Sequence, residues 1–148
     1  MTTKPIPEGY HTVTPYLVVP SAAKLIDFMK LAFGADEIQR HAQPDGTILH
    51  AEVRIGDSVI MLGDASVKFK PMPTMIHLYV DDTDATYRRA LQAGASSVRE
   101  PADQFYGDRS AGVKDNFGNQ WWIATHKEDV PPEEIAKRAE AAAKQQQH

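Results

Sequence analysis

Residues 48–63 read "ILHAEVRIGDSVIMLG", and His50 and Glu52 stand two apart there among apolar neighbours. Alternate residues of a strand share one face, about 7 Å apart. An imidazole and a carboxylate so placed could be two metal ligands or an acid/base pair. Arg54 continues the same face. Glu52 and Arg54 are therefore the candidate catalytic pair, a general base beside an anion clamp, since an enclosed carboxylate can have its pKa raised toward neutrality. The bland alternative is a buried Glu52–Arg54 ion pair in a pocket wall. A third ligand type stands in "TMIHLYV": with His77, His50 and Glu52 would form a non-standard divalent site. The stretch "DQFYGDR" (103–109) offers an amide at Gln104, stacking rings at Phe105 and Tyr106, and a charge at Arg109, around a bend at Gly107. It reads as a ligand-binding rim, or as a loop fixed by an Asp108–Arg109 pair. No phosphate loop, dinucleotide fingerprint or Gly-x-Ser-x-Gly elbow is present.

These side chains need strands and helices to hold them. "TPYLVVP" (14–20) is a short apolar, β-branched run closed by Pro20 and predicts a strand. The following helix has Ser21 as its N-cap, Ala22, Leu25, Ile26, Met29, Ala32 and Phe33 at helical spacing, and Gly34 at the stop. "DEIQRHAQ" is a strand candidate and "QPDG" a turn. A two-residue turn at Gly56-Asp57 makes 48–63 a hairpin in which Ile55 faces Ser58, Val53 faces Ile60 and Ala51 faces Leu62. One hairpin face is then apolar (Ala51, Val53, Ile55, Ile60, Leu62), and the other carries His50, Glu52, Arg54, Val59, Met61 and Gly63.

The pattern recurs. "TMIHLYVDD" predicts a strand, and "DTDATYRRALQAGA" a helix with Tyr87, Ala90 and Leu91 inward and its end at Gly94. "SSVREP", "RSAGVKD" and "QWWIATH" are further strands. Trp121 and Trp122 must point to opposite faces, one to the core and one to a cavity. His11 and His126 read as surface or cap residues. The chain is thus α+β, two tandem βαβββ units over about 11–63 and 73–126 in one domain (1–126). A polar tail (127–148) follows, with a helix starting at Pro-Pro-Glu-Glu and a frayed Gln-rich end.

Composition narrows the function. The 148 residues are 42% hydrophobic and 24% charged, with net charge -4 and no cysteine. A chain of this size and balance forms a globular domain. Without a basic cluster a nucleic-acid partner is not expected. Without cysteine there is no disulfide or thiolate chemistry, which suits a reducing cytoplasm. The opening residues lack a secretory h-region, and no apolar run spans a bilayer, so a soluble protein without a membrane partner is expected.

The ordered motifs "PIPEGYHTVTPYLVV", "KLIDFMKLAFGA", "HAEVRIGDSVIML", "DQFYGDR", "DNFGNQWWIATHKEDV" and "PPEE" resemble the PhnB-like subgroup of the vicinal oxygen chelate superfamily, over about residues 5–135. That superfamily includes glyoxalase, extradiol dioxygenases and bleomycin-resistance proteins. The resemblance implies two curved half-cups forming a cup-shaped mixed sheet around a ligand cavity. Its inner face would hold Thr14, Tyr16, His50, Glu52, Arg54, Met61, Met75, His77, Tyr79, Gln120 and Trp122. Metal-dependent relatives carry one ligand on each first and last strand, and those positions correspond here to Thr14, Met61, Met75 and Trp122. Hydroxyl, thioether and indole groups are poor ligands for a hard or borderline cation. The sequence also reads Asp115-Asn116-Phe117-Gly118-Asn119 where the subgroup commonly has Asp-Pro-Phe-Gly-His. The expectation is a small-organic-molecule-binding protein of drug-sequestering type, with no metal or cofactor, pairing as a homodimer as relatives commonly do. The alternative is a lyase, isomerase or dioxygenase-like enzyme.

Overall fold

The computed structural model describes residues 3–146. Among them run β1 (Tyr16–Val19), α1 (Ala22–Phe33), β2 (Asp36–Ala42), β3 (Ile48–Ile55), β4 (Ser58–Asp64), β5 (Met75–Tyr79), α2 (Thr83–Gln92), β6 (Ser96–Asp103), β7 (Asp108–Lys114), β8 (Gln120–His126) and α3 (Pro132–Gln146). The strands form two four-stranded mixed sheets, ordered β1-β4-β3-β2 and β5-β8-β7-β6. In each, the first strand pairs parallel with the last and the others pair antiparallel. The expected α+β architecture of two βαβββ units is the observed one.

Local chemistry sets the boundaries. The Ser21 hydroxyl accepts the Lys24 amide at 3.4 Å and starts α1, and Gly34 ends it in the left-handed region at φ 67°. Gly56, at φ 58°, turns β3 into β4. The hairpin register is the one its alternation predicts, Ala51 opposite Leu62, Val53 opposite Ile60 and Ile55 opposite Ser58. Asp82 caps α2 by accepting the Ala85 amide at 3.0 Å.

One apolar cluster lies between the sheets and takes residues from both units, including Leu25, Val53, Leu62, Ala90, Trp121 and Ile123. Phe28 lies off the inward stripe the sequence predicts for α1, yet it is buried. Its ring centroid is 6.4 Å from that of Trp121, and Phe33 is 5.0 Å from the same indole. The helix therefore packs on its own sheet and on the other unit. Arg89 of α2 donates to the Ala32 carbonyl at 3.4 Å, joining the helices. This packing leaves the outer sides of both sheets to mixed side chains, in which Met61, Met75 and Trp122 stand among polar residues. α3 starts at the Pro-Pro-Glu-Glu step, as expected, and is tethered through Arg138 to Glu128 at 2.7 Å. The final two residues of the Gln-rich end lie outside those described. No helix among the described residues is long and apolar enough to cross a membrane.

Candidate functional site

On the face of the first sheet away from the core, strand register sets Tyr16, Met61, Glu52 and Gln39 side by side across β1, β4, β3 and β2. Glu52 is buried, at 4% exposure. Its Oε2 lies 2.7 Å from His50 Nε2, and its Oε1 accepts the Tyr10 hydroxyl. His50 Nδ1 is 3.4 Å from the Tyr16 hydroxyl, with the two ring centroids 5.6 Å apart. Burial alone would push the Glu52 carboxyl up. Hydrogen bonds from His50, Tyr10 and Gln39 outweigh burial and hold it below the usual carboxylate range. Tyr10 moves the other way, raised first by its bond to Glu52 and then by burial.

Two sequence expectations fail here. The Glu52 pKa falls instead of rising toward neutrality, so its carboxylate is a weak proton acceptor. No ion pair joins Glu52 to Arg54 among the described residues; Arg54 runs toward Gly9, where a Cβ would stand 3.2 Å from its Nη2. Residues 5–14 cross this face and border an open cavity of about 460 Å³ lined by Pro5, Ile6, Tyr10, Thr14, Glu52 and Met61, among others. Tyr10 was missed because it sits in a Pro- and Gly-rich stretch without periodicity.

The second sheet repeats the row with other side chains. His77, Trp122, Gly112 and Arg99 lie across β5, β8, β7 and β6. Trp122 lies over Gly112, where a Cβ would come within 2.9 Å of the indole Cζ3. The Arg99 guanidinium carbon is 4.7 Å from the Trp122 ring centroid, and its Nη2 donates to Ser110 Oγ at 2.5 Å. His77 and Tyr79 stack at 4.9 Å. Met75, at 63%, and Tyr79, at 69%, are exposed. The two tryptophans do point to opposite faces, with Trp121 fully buried. Arg99 was missed because irregular register on β6 between Ser97 and Arg99, and again before Ala102, breaks simple alternation.

The rim differs from its expected form. Asp108 and Arg109 do not pair. Arg109 lies on the core side, where Asp84 of α2 takes both its Nε at 2.6 Å and its Nη2 at 2.9 Å, and Asp103 takes Nη1 at 3.2 Å. Asp108 is buried on the polar side and binds the Tyr79 hydroxyl at 3.3 Å and His126 Nδ1 at 2.7 Å. His126 is exposed, as its surface reading expected, and its Nε2 also reaches Asp129 at 2.7 Å, so this histidine bridges two carboxylates. Hydrogen bonds to Asp108 and then Asp129 raise its pKa. The Asp108 charge and burial raise that of Tyr79. Residues 104–107 form a tight turn that bends at Gly107, whose N donates to Gln104 O at 3.1 Å. Phe105 and Tyr106 meet edge-on at 5.2 Å, and the Gln104 amide donates to Ala102 O at 3.4 Å.

Asn119 is structural. It lies buried, its side-chain amide donates to Asp115 Oδ2 at 3.0 Å, and its oxygen accepts the Thr74 amide at 3.0 Å. Asp115 Oδ2 also accepts Trp121 Nε1 at 2.9 Å.

The donor set does not fit the metal of the metal-dependent relatives. Thr14 spends its hydroxyl on the His11 carbonyl at 3.3 Å, and Met61, Met75 and Trp122 offer only thioethers and an indole. Thr14 and Met61 line a cavity to which Met75 and Trp122 do not contribute. The alternative trio does not assemble either. His50 and Glu52 bind each other, while His77 stacks on Tyr79 in the other unit.

Two βαβββ units with this strand order define the glyoxalase/bleomycin-resistance type of α+β fold. Residues 10–123 match the profile of the Glyoxalase/Bleomycin resistance protein/Dioxygenase superfamily, and the chain belongs to that superfamily. An uncharacterised protein of Mycobacterium tuberculosis (strain H37Rv) is 39% identical over 134 residues, covering 83% of this chain and 79% of that one. Among solved structures, TioX from Micromonospora sp. ML1 superposes with a TM-score of 0.67 at 24% identity, covering 78% of this chain and 98% of that one. A superfamily member from Sphaerobacter thermophilus gives 0.64 at 19% identity, with 78% and 96% covered. At such identities the likeness concerns the fold. Members of the superfamily bind small molecules.

Proposed function

We propose that the protein binds a small organic molecule on the polar faces of its sheets, without a divalent metal, as a binding protein of drug-sequestering type. One observation carries this reading: Thr14, Met61, Met75 and Trp122, the positions that the family resemblance sets against the ion ligands of metal-dependent relatives, offer only hydroxyl, thioether and indole groups. The open cavity beside residues 5–14 and the ring-lined face at Met75, His77, Tyr79 and Trp122 support it, because ring and thioether surface set among a few polar groups suits an organic ligand. The enzymatic alternative through Glu52 loses support from the lowered pKa of that carboxylate. We assign the chain to the PhnB-like subgroup on its motifs. A cytoplasmic homodimer, of the kind that the family resemblance implies, belongs to the same proposal.

Equilibrium dialysis against a cell metabolite extract, read by mass spectrometry, tests the proposal. Enrichment of an organic mass by the wild-type chain is expected, with loss on Met61→Glu or Trp122→Ala. No enriched mass at any protein concentration would contradict it.

A further inference from the structure

Resting on that reading and naming its ligand class, we infer that the second sheet's polar face takes the oxyanion of a planar organic molecule, with Arg99 as the anion's partner. Arg99 is fixed at two points, by the Trp122 ring at 4.7 Å and by Ser110 Oγ at 2.5 Å. Neither contact neutralises it. Among the described residues no carboxylate lies within ion-pair distance of Arg99, whereas Arg109 and Arg138 each hold two. A guanidinium carries five N–H donors in a planar fork. Stacking and one hydroxyl leave most of that fork free and already oriented, which lowers the ordering cost of binding a carboxylate or phosphate.

The surroundings have the matching sign. Strand register puts Lys114 on the same face as Arg99. Asp108, the carboxylate at the far end of β7, is occupied by Tyr79 and His126. The exposed Met75 and the stacked His77–Tyr79 pair, on the strand next to that of Trp122, supply flat surface for the ring of the ligand. Gly112 keeps the indole low, since a Cβ there would strike it at 2.9 Å. The first sheet makes the opposite choice. Glu52 stands in its row where Gly112 stands here, and Gln39 where Arg99 stands. An anion belongs on the second face.

Equilibrium dialysis of the full chain against 1-naphthoate, 1-naphthyl phosphate and the uncharged 1-naphthalenemethanol tests this. The wild type should bind at least one anion on the order of tenfold more tightly than the alcohol, the value of one charge-assisted contact. Preference for the phosphate points to a phosphate monoester, and preference for the naphthoate to a carboxylic acid. Arg99→Gln should erase the preference and leave the alcohol's binding within about twofold. Arg88→Gln, an exposed arginine on α2, should change nothing. Arg99 is itself exposed, and near-UV circular dichroism verifies that the variant is folded. A preference that survives Arg99→Gln, equal binding of anions and alcohol, or no binding of any probe overturns the inference. None of those results decides the metabolite experiment, which tests small-molecule binding separately.

Discussion

The two units share one backbone plan and diverge in chemistry. Tyr16 pairs with Met61 in the first unit as His77 pairs with Trp122 in the second, each residue 61 positions further on. At the centre of the row the first unit buries a carboxylate, Glu52, and covers it with Tyr10 from residues 5–14. The second unit has no side chain there. Gly112 instead admits an indole, and the indole carries an arginine. A repeated sheet fixes where side chains stand, and one added carboxylate or one missing Cβ decides what they recognise. The hairpin turns diverge too. Gly56-Asp57 closes the first with backbone geometry, whereas buried Asp115 and Asn119 close the second with side-chain hydrogen bonds.

The turn difference predicts the largest effect. Asp115→Ala should cost about 3 kcal/mol or more in urea unfolding, because it leaves Trp121 Nε1 and the Asn119 amide buried without an acceptor. Asp57→Ala in the exposed first turn should stay within about 0.5 kcal/mol. Equal losses would erase this contrast.

Gly112→Ala comes next, at about 1–3 kcal/mol, since the added Cβ meets the Trp122 ring at 2.9 Å. The near-UV signal of Trp122 should change with it. An unchanged spectrum would mean that the indole does not depend on Gly112.

Glu52→Gln should cost about 1 kcal/mol at neutral pH. Its sharper signature is pH dependence. The folded Glu52 pKa is below its ordinary 4.5, so its contribution is present above that value and lost as pH falls through the folded one. The acid limb of wild-type stability should flatten in the variant, and an identical limb would count against the Tyr10–Glu52–His50 cluster.

The smallest effect belongs to His126, whose folded pKa is raised above 6.5. Its contribution is present in full below 6.5 and lost as pH rises through the folded value. Thermal melts of wild type and His126→Gln should therefore differ at pH 6 and converge by pH 9. A constant difference would exclude the two-carboxylate bridge.

Much of the fold was legible because local rules agree along the chain. Ser21, Gly34 and the Gly56-Asp57 turn declare their elements, and alternation along β3 and β4 separates core from polar face. Phe28 shows where local rules stop, because its burial comes from Trp121, more than ninety residues away. The candidate site was legible as a set of faces and less so as partners. His50 and Glu52 do adjoin, but Tyr10, Asp84 and Asp129 arrive from segments whose docking no periodicity encodes. Irregular strand register hid Arg99 as well.

Native mass spectrometry of the intact chain, purified without chelators, decides whether the protein holds a divalent metal. The expected mass is that of the bare polypeptide, alone or with an organic molecule, and without a stoichiometric metal. A single divalent ion held tightly by every chain would contradict it.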